Sequence, residues 1–264
     1  MICAVIPVQN EAKNIASVIS TLLLLPVNIV LPVINGSTDG SGEIIARCLS
    51  DRVRPIWFKE SLGIDVPRAV GAAHARELGV KTLLFVDGDM VGDIGKALLA
   101  LSEAIEAGGA DMALTDCYPA DEFVPLSTQA LQLCQIRELF NRAVGLGYLR
   151  AASPAHGPHA VSRRLLDRLP LRELAVPPVT LAMAAQAGLK VVIGAQMPHC
   201  TLGSPDKGEE HARHIRHTIV GDYLEAFGVY RNTTRSRSLN GIVFDGYNHI
   251  RQFKVLDEYL KNSK

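Results

Sequence analysis

Two aspartates one residue apart, Asp87-Gly88-Asp89, follow directly on an apolar run over residues 82–86. Such a run reads as a strand buried on both faces, which puts the acidic pair at a strand's carboxyl end. Two carboxylates that close repel each other unless a cation lies between them. Hard oxygen donors at this spacing suit Mg²⁺ or Mn²⁺, an ion that also bridges the phosphates of a nucleotide. The chemistry would be charge stabilisation on such phosphates by a Lewis-acid ion. Three further polar clusters occupy comparable places: Gln9-Asn10-Glu11, Asn35-Gly36-Ser37-Thr38-Asp39 and Gly63-Ile64-Asp65. Each also has a plainer reading, because strand-to-helix turns use Gly for unusual backbone angles and Ser, Thr or Asp to cap the next helix.

These clusters need elements to hold them. Residues 2–7 form a β-branched run that gives way to a helical pattern with Ile15, Val18, Ile19 and Leu22 on one face. A strand over 28–34 leads through the turn 36–40 into a helix over 42–49. A third strand over 53–58 precedes a helix from 67 to 78, with Pro67 suited to its first turn. Beyond the acidic pair the pattern predicts helix 93–107, strand 111–115, helix 126–145, loop 154–157, helices 162–169 and 179–187, and strand 190–193. Residues 204–264 are charged, histidine-rich and mostly helical in pattern. Alternating strands and helices predict an α/β fold with a mostly parallel sheet, whose ligands sit in the crevice outside the strands' carboxyl ends.

Composition narrows the function. Basic and acidic residues balance at 27 each, so no global field steers the chain to nucleic acid or an anionic membrane. The five cysteines are odd in number, scattered and never in a C-x-x-C pair, which argues against a disulfide framework or zinc knuckle and for a reducing, cytoplasmic home. The most apolar stretch, 22–34, is interrupted by Pro26, Asn28 and Pro32 and falls short of a transmembrane span. No basic region opens the chain, so no signal peptide is expected.

Val5-Ile6-Pro7-Val8-Gln9-Asn10-Glu11, then Asn35-Gly36-Ser37-Thr38-Asp39-Gly40-Ser41, then Leu84-Phe85-Val86-Asp87-Gly88-Asp89 resemble, in order and spacing, the nucleotide-binding half of family 2 glycosyltransferases. The resemblance implies a GT-A fold and a UDP- or GDP-sugar donor, with Pro7 and Glu11 beside nucleobase and ribose, Asp87 near ribose and pyrophosphate, and Asp89 as metal ligand. The donor would also meet Asn35, Gly63, Arg68 and Gly88. His156-Gly157-Pro158-His159-Ala160-Val161-Ser162-Arg163 is similar to the acceptor loop of the related glucosyl-3-phosphoglycerate synthases, which implies that Gly157 and His159 orient a small or phosphorylated acceptor. Those synthases complete the metal site with a histidine after the last strand; the matching residue is His199, alternatively an ordinary loop histidine. One domain is expected over 1–264, with a nucleotide half (1–115), an acceptor half (116–203) and a helical extension (204–264).

Several residues depart from the family pattern. Ile34 stands where an aspartate usually helps read the base, so Asn35 either substitutes through its amide or base selectivity differs. Arg68 replaces a phosphate-neutralising lysine, or else pairs with Asp65 at a helix start. Inverting relatives carry a general base where this chain reads Val176-Pro177-Pro178-Val179-Thr180; Glu173 is the nearest carboxylate upstream. Without a base there, retention is the expected outcome, the leaving phosphate oxygen taking the proton on the face of attack.

The alternatives are a catalytically silent sugar-nucleotide binder and a nucleotidyltransferase, although the latter would open with a glycine-rich loop that 5–11 lacks. No G-x-G-x-x-G follows the first strand, which excludes a dinucleotide oxidoreductase. His211, His214 and His217 read as a solvated helix face or a phosphate-collecting patch. The basic stretch 231–237 reads as linker, or as a flap over a phosphorylated acceptor or on a membrane. The apolar excess of 126–145 marks core or a homodimer surface.

Overall fold

The computed structural model describes residues 1–120 and 126–263. In chain order the elements are β1 (Ile2–Val8), α1 (Ile15–Leu23), β2 (Ile29–Asn35), α2 (Ser41–Arg47), β3 (Ile56–Phe58), α3 (Val66–Glu77), β4 (Thr82–Phe85), α4 (Gly95–Glu106) and β5 (Met112–Asp116). There follow α5 (Thr128–Ala143), β6 (His159–Ser162), α6 (Arg163–Arg168), α7 (Pro177–Gln186), β7 (Val191–Gln196) and α8 (Glu209–Tyr230). A small hairpin of β8 (Ser238–Leu239) and β9 (Ile242–Val243) precedes α9 (Phe253–Asn262).

Strand β1 shows why a continuous apolar run forms the centre of this sheet. Its side chains alternate, so Cys3 and Val5 enter one hydrophobic layer while Ala4, Ile6 and Val8 enter the other. Helix α1 covers the second layer with Ile15, Val18, Ile19 and Leu22, as its spacing predicts, and α3 covers the first with Val66, Ala69, Val70 and Ala73. The sheet has seven strands in the order β3-β2-β1-β4-β6-β5-β7, all parallel to their neighbours except β6. Between β1 and β4 the winding reverses direction, and a crevice opens there at the strands' carboxyl ends.

One expectation needs correction. Residues 159–162, read as part of an acceptor loop, form a central antiparallel strand in which Ala160 pairs with Leu84 on one side and Ala113 on the other. Four residues opening on a polar histidine carry too little periodicity to announce a strand; tertiary pairing makes it one. The C-terminal extension is mostly helical, as its pattern predicts, with one small hairpin, and it is bound to the nucleotide half: the Gln252 N–H donates to the Leu62 carbonyl at 2.8 Å, and α9 packs on α3. All five cysteines are free thiols. Among the described residues no helix is long and apolar enough to cross a membrane.

Candidate active site

The crevice is a cleft of about 800 Å³, bounded by Pro7, Glu11, Asn35, Gly63, Arg68, Asp87, Gly88 and Asp89 on one side and by Tyr118, Arg137, His156, Gly157 and His199 on the other. The loops after β1 and β2 are laced together at its rim. The Asn10 N–H donates to Ser37 Oγ at 3.1 Å, the Thr38 N–H to Asn10 Oδ1 at 2.9 Å, and the Glu11 N–H to Ser41 Oγ at 2.8 Å. Asp39 accepts from the Ala12 N–H at 2.8 Å and the Ser41 N–H at 3.0 Å, so Asn10 and Asp39 do the plainer, loop-holding job.

Asn35 is buried, and its amide is spent on backbone: Oδ1 accepts from the Leu62 N–H at 2.5 Å and Nδ2 donates to the Gly63 carbonyl at 3.2 Å. The expectation that this amide reads a nucleobase is corrected accordingly; Asn35 holds the 62–63 loop against β2. Gly63 has φ +84°, and a Cβ there would sit 2.4 Å from the Ile250 carbonyl oxygen, so the C-terminal segment closes over this loop only because the residue is glycine.

Asp87 and Asp89 do not share one cation. Asp87 is hydrogen-bonded to Arg68 Nη2, whose Nε also pairs with Asp65 at 3.1 Å. Of the two readings of Arg68, the pairing with Asp65 at the start of α3 is the one seen; its remaining contact is with a cleft acid, Asp87. Desolvation on the cleft floor raises the Asp87 pKa, Arg68 opposes that, and the Asp89 charge adds to it. Asp65 is in turn held by Arg251 at 3.0 Å, and Arg251 binds Asp222 at 2.7 Å. Asp89 instead meets Lys207: Nζ lies 2.8 Å from Asp89 Oδ2 and 2.8 Å from Glu11 Oε1. Ser204 Oγ donates to the other Asp89 oxygen at 3.1 Å.

Among the described residues no group of three or more His, Cys, Asp or Glu side chains lies close enough to hold a metal ion. The expected trio of Asp87, Asp89 and His199 is corrected: Asp87 is committed to Arg68, and the exposed His199 faces His156 and Tyr118, with ring centroids 5.0 and 6.1 Å away. The donor set around Asp89 nevertheless suits a cation, because Asp89 and Glu11 already share the Lys207 ammonium. Two protein carboxylates leave the remaining places of a divalent ion to phosphate and water oxygens.

On the opposite wall Gly157 has φ +74°, and its missing Cβ lets the chain approach Cys117 Sγ, which a Cβ would meet at 2.6 Å. His159 is corrected. It is buried in β6, stacked on Phe85 at 4.9 Å beneath the cleft, where it cannot orient an acceptor. Desolvation, with Arg68 adding to it, pushes its pKa down to about 3, so the ring is neutral. Glu173 is buried too, gripped by Arg235 Nη1 at 3.0 and 2.9 Å outside the cleft, and no general base comes from it. Arg235 and Arg237 are thus ion-paired staples, Arg237 binding Asp222 at 2.6 Å and Glu225 at 2.9 Å, rather than a loose basic linker. The three histidines of α8 pack the C-terminal segment: His211 and His214 lie on Tyr247 and His217 on Phe244. Sequence reading missed Lys207, Arg137 and Arg251, because none stands at a diagnostic spacing from the acids or rings it meets.

A mostly parallel sheet with its switch-point cleft, an acidic pair at the cleft and laced loops at the rim define a GT-A glycosyltransferase. The model of glycosyl transferase family 2 matches residues 3–168, and the chain belongs to that family. No curated protein matches it in sequence. Among solved structures it is similar to glucosyl-3-phosphoglycerate synthase from Mycobacterium tuberculosis in complex with Mn²⁺, UDP and phosphoglyceric acid. That match has a TM-score of 0.61 at 19% identity, over 87% of this chain and 79% of that one. The same synthase with Mn²⁺, UDP-glucose and phosphoglyceric acid gives a TM-score of 0.62 at 18% identity, over 87% and 80%. At such identities the likeness speaks for the fold.

Proposed function

We propose that this protein transfers a sugar from a nucleotide-sugar donor to a small, phosphorylated acceptor with retention at the anomeric carbon, and that it depends on a divalent cation. The observation that carries the reading is the Asp89–Glu11 carboxylate pair at the switch-point cleft, with a cationic group already held between its oxygens. The donor lies along the rim formed by Pro7, Glu11, Gly63 and Gly88, and structural relatives solved with UDP and UDP-glucose support a nucleotide-sugar as its class. Asp89 would hold Mn²⁺ or Mg²⁺, which supplies charge stabilisation to the diphosphate as the glycosidic bond breaks.

The chain's own residues position and desolvate. Arg68 and Asp87 form a fixed ion pair on the floor, and the Asn35-anchored loop keeps Gly63 against the donor. Gly157, whose tight turn packs against Cys117, lines the part of the cleft where the acceptor would enter. With Glu173 withdrawn into an ion pair, the proton of the attacking hydroxyl passes to the departing phosphate oxygen on the same face, which is the retaining outcome.

The test is a panel of UDP- and GDP-sugars with phosphorylated acceptors, with and without Mn²⁺, using wild type and Asp89→Asn. Transfer that requires metal and falls at least about a hundredfold in the variant supports the reading. Nucleotide binding without turnover on any acceptor would make the protein a silent binder, and full metal-dependent activity in the variant would remove Asp89 from its role.

A further inference from the structure

Among the described residues Arg137 is the largest fully buried side chain, 1% exposed, and it lines the cleft. Among the described residues no carboxylate forms an ion pair with it, and its Nε and Nη1 make no hydrogen bond. Tyr118, Cys134 and Tyr223 lie within its reach as neutral hydrogen-bonding groups whose pKa values burial raises and Arg137 lowers, and the buried Asp116 carboxylate, which also acts on Cys134, forms no ion pair with it. A guanidinium cannot shed its charge by losing a proton, so removing it from water without an anion is costly, and the cost is recovered only when an anion arrives.

A second orphan group stands beside it. His156 Nε2 is buried with no partner, and the ring stacks on Tyr118 at 5.4 Å with only 4° between the planes, which fixes its direction. Every other buried arginine or cleft acid described above has an opposite charge within reach: Arg68 has Asp65 and Asp87, Arg251 has Asp65 and Asp222, Asp89 has Lys207. Among the described residues Arg137 is the exception, in the same cleft as the acidic pair.

We propose that Arg137 and His156 form an oxyanion subsite that takes the carboxylate or phosphate group of the acceptor. The planar fork of the guanidinium matches two oxygens of either group, and the imidazole supplies one further hydrogen bond. Anchoring the acceptor by its charge on this wall turns the rest of the molecule toward the donor side of the cleft. The subsite rests on the transferase reading of the cleft, but binding at it can be measured without turnover.

The experiment titrates the full chain with inorganic phosphate and, separately, with acetate, following the His156 side-chain resonances by NMR. The comparison uses wild type, Arg137→Gln and Arg137→Lys. We expect saturable shifts of the His156 signals with at least one of the two anions, phosphate alone marking a phosphorylated acceptor and acetate alone a carboxylate. Affinity should fall at least tenfold in Arg137→Gln and be partly restored in Arg137→Lys. Should Arg137→Gln not fold, His156→Asn serves, with severalfold weaker binding expected by calorimetry. Absence of any shift with both anions, or undiminished binding in Arg137→Gln, overturns the subsite. Nucleoside diphosphates titrated into the same samples separate the two readings: binding of a nucleotide without any anion at His156 sinks the subsite alone, whereas failure of every nucleotide sinks the transferase reading.

Discussion

Replacing Lys207 by methionine should strengthen divalent-metal binding to the nucleotide-free protein. The Lys207 ammonium bridges Glu11 and Asp89 at 2.8 Å each, so an ion that uses Asp89 must first displace it. Desolvation lowers the pKa of this lysine, but its hydrogen bonds to Asp89 and Glu11 outweigh that and hold it at about 12 instead of 10.5. That rise corresponds to a preference of about 2 kcal/mol for the charged, bridged form. The side chain is 39% exposed, and solvent screening reduces the figure to about 1 kcal/mol. Removing the competitor should therefore tighten Mn²⁺ binding about fivefold, since about 1.4 kcal/mol is a factor of ten. Electron paramagnetic resonance of free Mn²⁺ measures this directly. Lys254→Met, which removes the same charge from an exposed position on α9, controls for net charge. An affinity for Lys207→Met equal to that of wild type or of the control would refute the view that Lys207 occupies the cation's place.

Three other outcomes follow from the same contacts. Glu173→Gln should leave the transfer rate within about threefold of wild type, because a true general base contributes about 10²–10⁴; thermal denaturation should show a loss of about 2 kcal/mol from the broken Arg235 pair. His159 has a folded pKa of about 3, below its usual 6.5, so the unfolded chain binds the proton first as pH falls. Stability should then drop by up to about 1.4 kcal/mol per pH unit on this account between 6.5 and 3. His159→Leu should flatten that limb in urea titrations at successive pH values. Arg251→Met strands Asp222 and Asp65 without their shared cation, and a loss of about 3–5 kcal/mol in chemical denaturation is expected; a loss below about 1 kcal/mol would show that Arg237 and Arg68 suffice.

The sequence by itself determined the elements of the nucleotide half and the floor of the cleft. Largely apolar runs at 2–7, 28–34 and 82–86 favour strands buried on both faces, and whatever follows such a strand lies at the sheet's edge, which is why Glu11, Gly63 and Asp87-Gly88-Asp89 meet in one crevice. Only the tertiary structure decided how those groups are partnered. Asp87 with Arg68, Asp89 with Lys207 and Asp65 with Arg251 are contacts between residues 19, 118 and 186 positions apart, and no local pattern encodes them. The strand His159–Ser162 was likewise hidden, since four residues beginning with a histidine become a strand only when β4 and β5 offer their open edges on either side. Short-range hydrophobic periodicity writes the scaffold into the chain, whereas the pairing of charges waits until folding brings distant side chains out of water and next to one another.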